Sequence, residues 1–271
     1  MICFPNAKIN LGLNVVSKRT DGYHNIETIF YPVPFCDALE ITSSKSIKGD
    51  FHQTGIKIEG EISSNLVIKA YNLLKRDFSI PEVDIYLYKK IPFGAGLGGG
   101  SSDAAFMLKL LNEFASLKLS YNQLEDYAGK LGADCPFFIK NKPVFAQGIG
   151  NEFTEINLSL KGYYLVIIKP TTHVSTKEAY ENVKPQKKST SLIDSIRLPI
   201  NEWKNVIVND FENSIFPKYP KIDEIKKTFY DKGAVYASMS GSGSSVFGIF
   251  NEVKPDLKKS YPDCFICRIE N

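Results

Sequence analysis

Pro92-Phe93-Gly94-Ala95-Gly96-Leu97-Gly98-Gly99-Gly100-Ser101-Ser102-Asp103 separates two strongly patterned segments. Before it, Val83, Ile85 and Leu87 alternate with other residues and predict a strand over 83–91. After it, Ala104, Met107, Leu108, Leu111 and Phe114 recur at helical spacing and predict a helix over about 102–115. Gly94, Gly96, Gly98, Gly99 and Gly100 let the backbone take positive φ and approach a ligand closely. The first N–H groups of a helix have no internal acceptors and lie at the positive end of its dipole. Strand, glycine turn and helix start together therefore predict a site for phosphate. Ser101 and Ser102 add hydroxyls for phosphate oxygens or for a phosphate-bound cation. The other reading, a flexible Gly/Ser linker, belongs between domains rather than between an apolar strand and an apolar helix. Gly94-x-Gly96-x-x-Gly99 matches the dinucleotide fingerprint, but here a second helix follows where that fold needs another strand. No Gly-Lys-Ser/Thr follows, which excludes a Walker loop.

Upstream, Ile9, Leu11, Leu13 and Val15 alternate with Lys8, Asn10, Gly12 and Asn14, the period of a half-buried strand over 8–15. Asp21-Gly22 is a turn signal before a second strand over 26–35, and 38–62 reads as further strands and turns. Asn65 is placed to cap a helix over 66–78. Downstream, Ser120 precedes a helix over 121–131, and 132–137 opens another short element. The second half, from about residue 155, reads as a strand over 163–169, a short helix over 176–180, a polar loop over 184–191 and a helix over 219–231. Strands over 234–239 and 246–250 then flank a Gly/Ser turn, and a closing strand covers 265–269. Helices and strands do not alternate regularly, so the class is α+β.

The 271 residues carry 33 Lys and Arg against 30 Asp and Glu, a net charge of +3. A balance so near neutral argues against a dedicated nucleic-acid or membrane-surface binder. Lys184, Lys187 and Lys188 are a small basic cluster of the kind a solvated loop carries. The apolar run over 163–168 suits a buried strand and is far too short to span a bilayer. Five cysteines are an odd and sparse set, and 1–5 has neither signal-peptide nor transit-peptide character, so a reducing, cytoplasmic setting is expected. Cys264-x-x-Cys267 has no second pair and no neighbouring His, so no zinc site is expected; His52 and His173 are isolated and receive no role.

Pro5-Asn6-Ala7-Lys8-Ile9-Asn10-Leu11, the segment 92–105 and Met239-Ser240-Gly241-Ser242-Gly243-Ser244-Ser245-Val246-Phe247 resemble, in that order, three motifs of the GHMP kinases. That superfamily is named for galactokinase, homoserine kinase, mevalonate kinase and phosphomevalonate kinase. Ala7 through Leu13 continuing to Arg19-Thr20-Asp21-Gly22-Tyr23-His24, and Leu131-Gly132-Ala133-Asp134-Cys135-Pro136-Phe137-Phe138, resemble one branch of it. Members of that branch phosphorylate a methylerythritol alcohol carrying cytidine diphosphate, in the non-mevalonate isoprenoid pathway. The resemblance implies an α+β, two-domain architecture of mixed sheets and helices with the active site in the cleft between domains. It implies an ATP-binding N-terminal domain over 1–155 and a C-terminal domain over 156–271. It also implies transfer of the γ-phosphoryl group of ATP to a hydroxyl of the small cytidine-bearing substrate, with neither nucleic acid nor membrane as partner.

The resemblance assigns roles residue by residue. Asp134 is the carboxylate that faces the acceptor hydroxyl, with Lys8 as its partner. The alternatives are a helix N-cap for Asp134 and an exposed strand position for Lys8. Pro92, Gly94, Ala95, Gly96, Leu97, Gly98, Gly99, Gly100, Ser101 and Ser102 form the ATP phosphate loop, and Asn65 lies near the adenine or simply caps its helix. Asn10 positions substrate or is a surface Asn. Tyr23 stacks on cytosine and His24 reads its pairing edge, or both merely flank a turn. Tyr180 is the candidate for the other side of a cytosine sandwich, against a core-facing place. Gly241 and Ser242 offer backbone N–H groups to the substrate diphosphate or form a plain β-turn. Mg2+ is implied by the charge of ATP, with Ser102 as a contact, although no carboxylate pair has ligand spacing. Three alternatives stand beside this reading: a GHMP kinase for homoserine or a mevalonate derivative, a non-catalytic nucleotide-binding regulator, and, furthest off, a nicotinamide enzyme. Tyr23-His24 argues against the first of these, and Lys8 with Asp134 against the second.

Overall fold

A computed structural model of the chain describes residues 1–58, 60–252 and 255–270. Along it run β1 (Ile2–Cys3), β2 (Asn6–Lys18), β3 (His24–Cys36), β4 (Ala38–Ser43), β5 (Phe51–Gly55), α1 (Leu66–Asp77), β6 (Val83–Lys89), α2 (Gly99–Phe114), α3 (Tyr121–Gly129), α4 (Phe137–Lys140), β7 (Val144–Gln147) and β8 (Glu152–Glu155). There follow β9 (Tyr164–Ile168), α5 (Thr176–Glu181), α6 (Leu192–Ser195), α7 (Trp203–Val206), α8 (Glu212–Ile215), α9 (Pro220–Asp231), β10 (Tyr236–Met239), β11 (Val246–Phe250), α10 (Pro255–Ser260) and β12 (Phe265–Arg268). The strands form three sheets, ordered β1-β4-β6-β5, β2-β3-β7-β8 and β10-β11-β9-β12. The mixture is α+β, as expected.

Contacts divide the chain into two units, and neither is continuous. One comprises Met1–Lys8, Phe35–Phe93 and Gly98–Lys142; the other comprises Ile9–Pro34, Gly94–Leu97 and the chain from Pro143. The expected division at 155 is a cut along the chain, whereas β2 and β3 each contribute residues to both units. In the first unit β4 and β6 are antiparallel and β5 joins β6 in parallel. Helices α1 and α2 pack on each other, and α2 packs on β4. Leu39, Ile41, Ile85 and Leu87 from the sheet and Val67, Ala70, Leu74, Met107, Leu108 and Leu111 from the helices are buried. In the second unit α9 packs on the antiparallel pair β10 and β11. Its core gathers Leu13, Val15 and Ile26 with Val166, Phe211, Ile222, Phe229 and Phe250. Burying each such side chain contributes about 1.5–3 kcal/mol.

Local chemistry sets the helix starts. The Asn65 side chain accepts from the Val67 N–H at 2.9 Å. Ser120 and Gln123 form a reciprocal capping box at α3. Pro220 occupies the first turn of α9, where its missing N–H costs nothing. Helix α2 begins at Gly99, three positions before the expected start, because Gly98 takes the left-handed N-cap conformation at φ +70°.

Strand β2 departs from the half-buried pattern that its alternation predicts: every residue from Asn6 to Val15 is buried. Its polar side is sheltered by polar partners rather than by water. Asn10 Nδ2 donates to Thr28 Oγ1 at 2.9 Å, and that hydroxyl donates to the Gly12 carbonyl at 2.6 Å. Gly12 sits at φ +73°, where an added Cβ would lie 2.7 Å from Leu192 Cδ1. The hairpin of β7 and β8 and the single-turn helices α6, α7, α8 and α10 have no counterpart in the sequence reading. Elements of four to six residues are too short to show a period.

Candidate active site

The first unit holds the start of α2. Gly99, Gly100 and Ser101 occupy its first turn, and the helix ladder begins where Ser102 N donates to the Gly98 carbonyl at 2.9 Å. The N–H groups ahead of that bond are the unpaired donors of a helix N-terminus. Gly98 is required twice over: it has positive φ, and an added Cβ would lie 2.9 Å from Phe138 and 3.1 Å from Lys8 Cγ. Gly100 is different, since its nearest neighbour would be Leu66 Cδ1 at 3.7 Å, ordinary contact.

Lys8 Nζ stands 3.5 Å from Asp134 Oδ2, so the structure brings the two expected catalytic residues together. The lysine side chain is 4% exposed and the aspartate 35%, which leaves the carboxylate reachable from solvent and the ammonium behind it. Lys8 is therefore not the exposed strand residue of the alternative reading. Burial pushes its pKa down, and the Asp134 charge pulls it back up. Nor is Asp134 a cap, because α4 has Pro136 at its N-cap position and no side chain bonds there.

Beside the first turn of α2 is a cavity of 490 Å3, lined by the apolar side chains of Phe51, Ile58, Ile62, Leu66 and Phe93, by Gly60 and Gly100, and by the polar side chains of Gln53, Lys57, Glu61, Ser64, Asn65, Lys89 and Asp103. Its size and mixed wall suit a small-molecule ligand. Asn65 thus both caps α1 and lines this cavity. Ser102 Oγ is buried in the first turn of α2 with no hydrogen-bond partner, an oxygen that fits a further ligand such as a phosphate-bound cation. Among the described residues no group of three or more His, Cys, Asp or Glu could hold a metal ion.

The second unit holds Gly94–Leu97 and packs them on the Gly/Ser turn after β10. Ser240 Oγ donates to the Gly96 carbonyl at 2.8 Å, and Ser245 N donates to the Ala95 carbonyl at 3.2 Å. An added Cβ on Gly96 would lie 1.9 Å from the Ser240 carbonyl oxygen, so only glycine fits. Ala95 and Leu97 are buried, and the His173 ring lies against Gly94. Asn10 is 2% exposed, which removes the surface reading; its backbone N–H donates to Ser240 Oγ at 3.3 Å. Gly241 is part of the same turn, at φ +55°. Ser242 Oγ is 3.2 Å from Thr176 Oγ1.

Tyr23 is 62% exposed beyond the Asp21-Gly22 turn. His24 stacks on Tyr180 with ring centroids 4.8 Å apart and planes 21° from parallel. Tyr180 meets Phe211 edge-on from the core. The structure therefore brings Tyr180 to His24 rather than to Tyr23. Burial and the Lys18 charge push the His24 pKa down, favouring the neutral ring that can both donate and accept.

Sequence reasoning missed three groups. Asn209 is buried and donates through Nδ2 to the carbonyls of Met239 and Gly241, both at 2.8 Å, which fixes the Gly/Ser turn. Glu212 accepts from Met239 N at 2.8 Å and pairs with Lys226. In the first unit Lys89 is ion-paired with both Asp37 and Asp103. A signal for Lys89 existed: the period that turns Val83, Ile85 and Leu87 inward also turns Lys89 inward, and a buried lysine demands acidic partners.

The GHMP kinases N terminal domain matches residues 65–142, and the GHMP kinases C terminal domain matches 194–261. A 4-diphosphocytidyl-2-C-methyl-D-erythritol kinase of Bacteroides fragilis is 60% identical over 272 aligned positions, covering 100% of this chain and 99% of that one. The chain belongs to the GHMP kinases. A crystal structure of 4-(cytidine 5'-diphospho)-2C-methyl-D-erythritol kinase is similar at TM-score 0.82 and 28% identity, over 98% of both chains. A mevalonate kinase of Methanococcus jannaschii shares the fold, at TM-score 0.73 and 16% identity over 100% of this chain and 98% of its own.

As a GHMP kinase the protein is an ATP-dependent phosphotransferase. The N-terminal match contains Asn65, the whole of 92–103 and Asp134, and the C-terminal match contains Asn209, Gly241 and Ser242. Lys8, Asn10, Tyr23, His24 and Tyr180 fall outside both matches. No helix among the described residues is long and apolar enough to cross a membrane.

Proposed function

We propose that this GHMP kinase transfers the γ-phosphoryl group of ATP to the 2-hydroxyl of 4-diphosphocytidyl-2-C-methyl-D-erythritol, a step of the non-mevalonate route to isoprenoid precursors, in the cytoplasm. The observation that carries the acceptor is identity of 60% across the whole chain with a kinase of that name. Fold alone does not choose, since a mevalonate kinase shares it.

Phosphoryl transfer asks for position and charge stabilisation more than covalent chemistry. The N–H groups of Gly99, Gly100 and Ser101 hold nucleotide phosphate, and the adenosine end enters the cavity beside Asn65 and Leu66. Gly94–Leu97 continue the loop, held in shape by Ser240 and Ser245. Asp134 orients the acceptor hydroxyl and takes its proton as the new P–O bond forms and the bond from the γ-phosphorus to the bridging oxygen of ADP breaks. Lys8 offsets the charge that builds up beside Asp134. Ser102 Oγ is the protein oxygen that would hold a phosphate-bound Mg2+, which would supply charge neutralisation on the ATP phosphates. Tyr23, His24 and Tyr180 form the cytosine-recognising group: aromatic faces stack on any base, and the neutral imidazole selects by its edge. Gly241 and Ser242 face the diphosphate, and Asn10 acts through the turn they belong to.

Asp134→Asn tests the assignment. Turnover is expected to fall by about 100-fold or more, while ATP binding measured by calorimetry persists. Near-normal turnover would remove Asp134 from catalysis.

A further inference from the structure

We propose that Asn6 and Asn141, joined side chain to side chain, are positioning residues that set where Asp134 stands relative to Lys8, and so set the rate of phosphoryl transfer. This rests on the reading of Asp134 as the group that meets the acceptor hydroxyl.

The two amides bond reciprocally. Asn141 Nδ2 donates to Asn6 Oδ1 at 2.7 Å, and Asn6 Nδ2 donates to Asn141 Oδ1 at 3.2 Å. Asn6 Nδ2 also donates to the Ala7 carbonyl at 2.9 Å, in the peptide unit that leads into Lys8. Neither residue is the ordinary choice for its backbone. Asn6 opens β2 and is 8% exposed, although asparagine is a poor strand former and a buried amide is costly unless its hydrogen bonds are met. Asn141 ends α4 at φ +55° and ψ +46°, the left-handed conformation that glycine takes at least cost. Asparagine tolerates that place, and here its side chain reaches β2.

The pair lies one short, stiff step from each catalytic residue. Asn6 is two positions before Lys8, on the same face of the strand and about 7 Å along it. On the other side, residues 132–141 are closed by their own backbone. Cys135 N donates to the Gly132 carbonyl at 3.1 Å, Phe138 N to Cys135 at 3.2 Å, Ile139 N to Pro136 at 3.1 Å and Asn141 N to Phe137 at 2.9 Å. Asp134 lies inside this run, so a displacement at Asn141 is carried to its carboxylate. Packing supports the segment as well: Phe138 is buried against Gly98, and Lys109 Nζ from α2 donates to the Phe138 carbonyl at 3.2 Å. Apolar contact is non-directional, whereas a ring of two amide hydrogen bonds fixes both distance and angle. The 3.5 Å between Lys8 and Asp134 is sensitive to that, because misplacing a reacting group by about 1 Å costs up to roughly 100-fold in rate.

The test is kcat and KM, for ATP and for the cytidine-bearing acceptor, in Asn141→Gly, Asn6→Ala and the double variant, with thermal melts; Asn141→Gly is also made in an Asp134→Asn background. Asn141→Gly removes the amide and keeps the left-handed turn, so its Tm is expected to fall by only about 2–4 °C. Its kcat is expected to fall by about tenfold, with KM for ATP within roughly twofold of wild type. Asn6→Ala is expected to match it, and the double variant to lose no more than either single, because each breaks the same ring. In the Asp134→Asn background, Asn141→Gly is expected to cost nothing further. A wild-type kcat in Asn141→Gly, whatever its Tm, would overturn the proposal. So would losses that multiply in the double variant, or the same loss persisting in the Asp134→Asn background, since the pair would then act elsewhere. Failure of the Asp134 reading looks different: Asp134→Asn alone would turn over near-normally, and both would fall together.

Discussion

Lys8 is a residue whose local sequence context misleads. By alternation alone it belongs on a wet strand face, yet it is buried and pairs with Asp134, a carboxylate only partly sheltered from water. A buried ammonium in that position costs stability, because desolvation favours its neutral form. The folded-state pKa is lowered, so the contribution of Lys8 to stability is complete above the unfolded value and is lost as pH falls through the folded one. At neutral pH, Lys8→Met is expected to keep Tm or raise it while turnover drops by about 100-fold or more. A calorimetric scan beside an ADP assay checks both halves, and a marked fall in Tm would make Lys8 structural. His24 illustrates the reverse. Sequence alone gives a turn residue, and the structure gives a ring stacked on Tyr180. His24→Ala is expected to raise KM for the cytidine substrate by roughly tenfold and leave KM for ATP in place; equal losses would contradict base recognition. The Asp103–Lys89 pair was legible only in part. Inward alternation marks Lys89, but no pattern in sequence names Asp37 and Asp103 as its partners.

At the scale of elements, helix α2 and the loop before it were the most readable part of the chain, because a glycine run between two apolar periods has few other uses. The start of the helix was not readable to the residue. Glycines are poor helix formers, and what admits them is tertiary contact: an added Cβ at Gly99 would lie 2.8 Å from Ile91 Cγ2. The same contacts separate two roles inside one motif. Gly98→Val would force a β-branched residue to positive φ against Phe138, so it is expected to lose about 2 kcal/mol or more of stability. An added Cβ at Gly100 meets only an ordinary contact with Leu66, and Gly100 lines the cavity, so Gly100→Val is expected to keep Tm and weaken ATP binding by roughly tenfold or more. Isothermal titration with ATP, next to thermal melts of both variants, tests this; intact ATP affinity in Gly100→Val would displace the phosphate from the helix start. The short hairpin of β7 and β8 and the one-turn helices escaped the sequence reading because their order comes from packing, and a single turn carries no period.

For the whole molecule, composition and motif order gave the class, while the interleaving of the two units was not visible. Nothing in a linear pattern shows that Leu13, Val15 and Ile26 share a core with Phe211, Phe229 and Phe250, some two hundred residues away. Severing the chain at 155 would therefore strip apolar partners from both pieces. Fragments 1–155 and 156–271 are each expected to lack a cooperative melting transition, and two independent sharp transitions would show that the division along the chain is also a division in folding. ADP release from Mg-ATP by the purified protein should be measured with 4-diphosphocytidyl-2-C-methyl-D-erythritol, homoserine, mevalonate, galactose and no acceptor. Turnover confined to the cytidine compound is the predicted result; turnover with another of these acceptors, or none with any while ATP still binds, would contradict it.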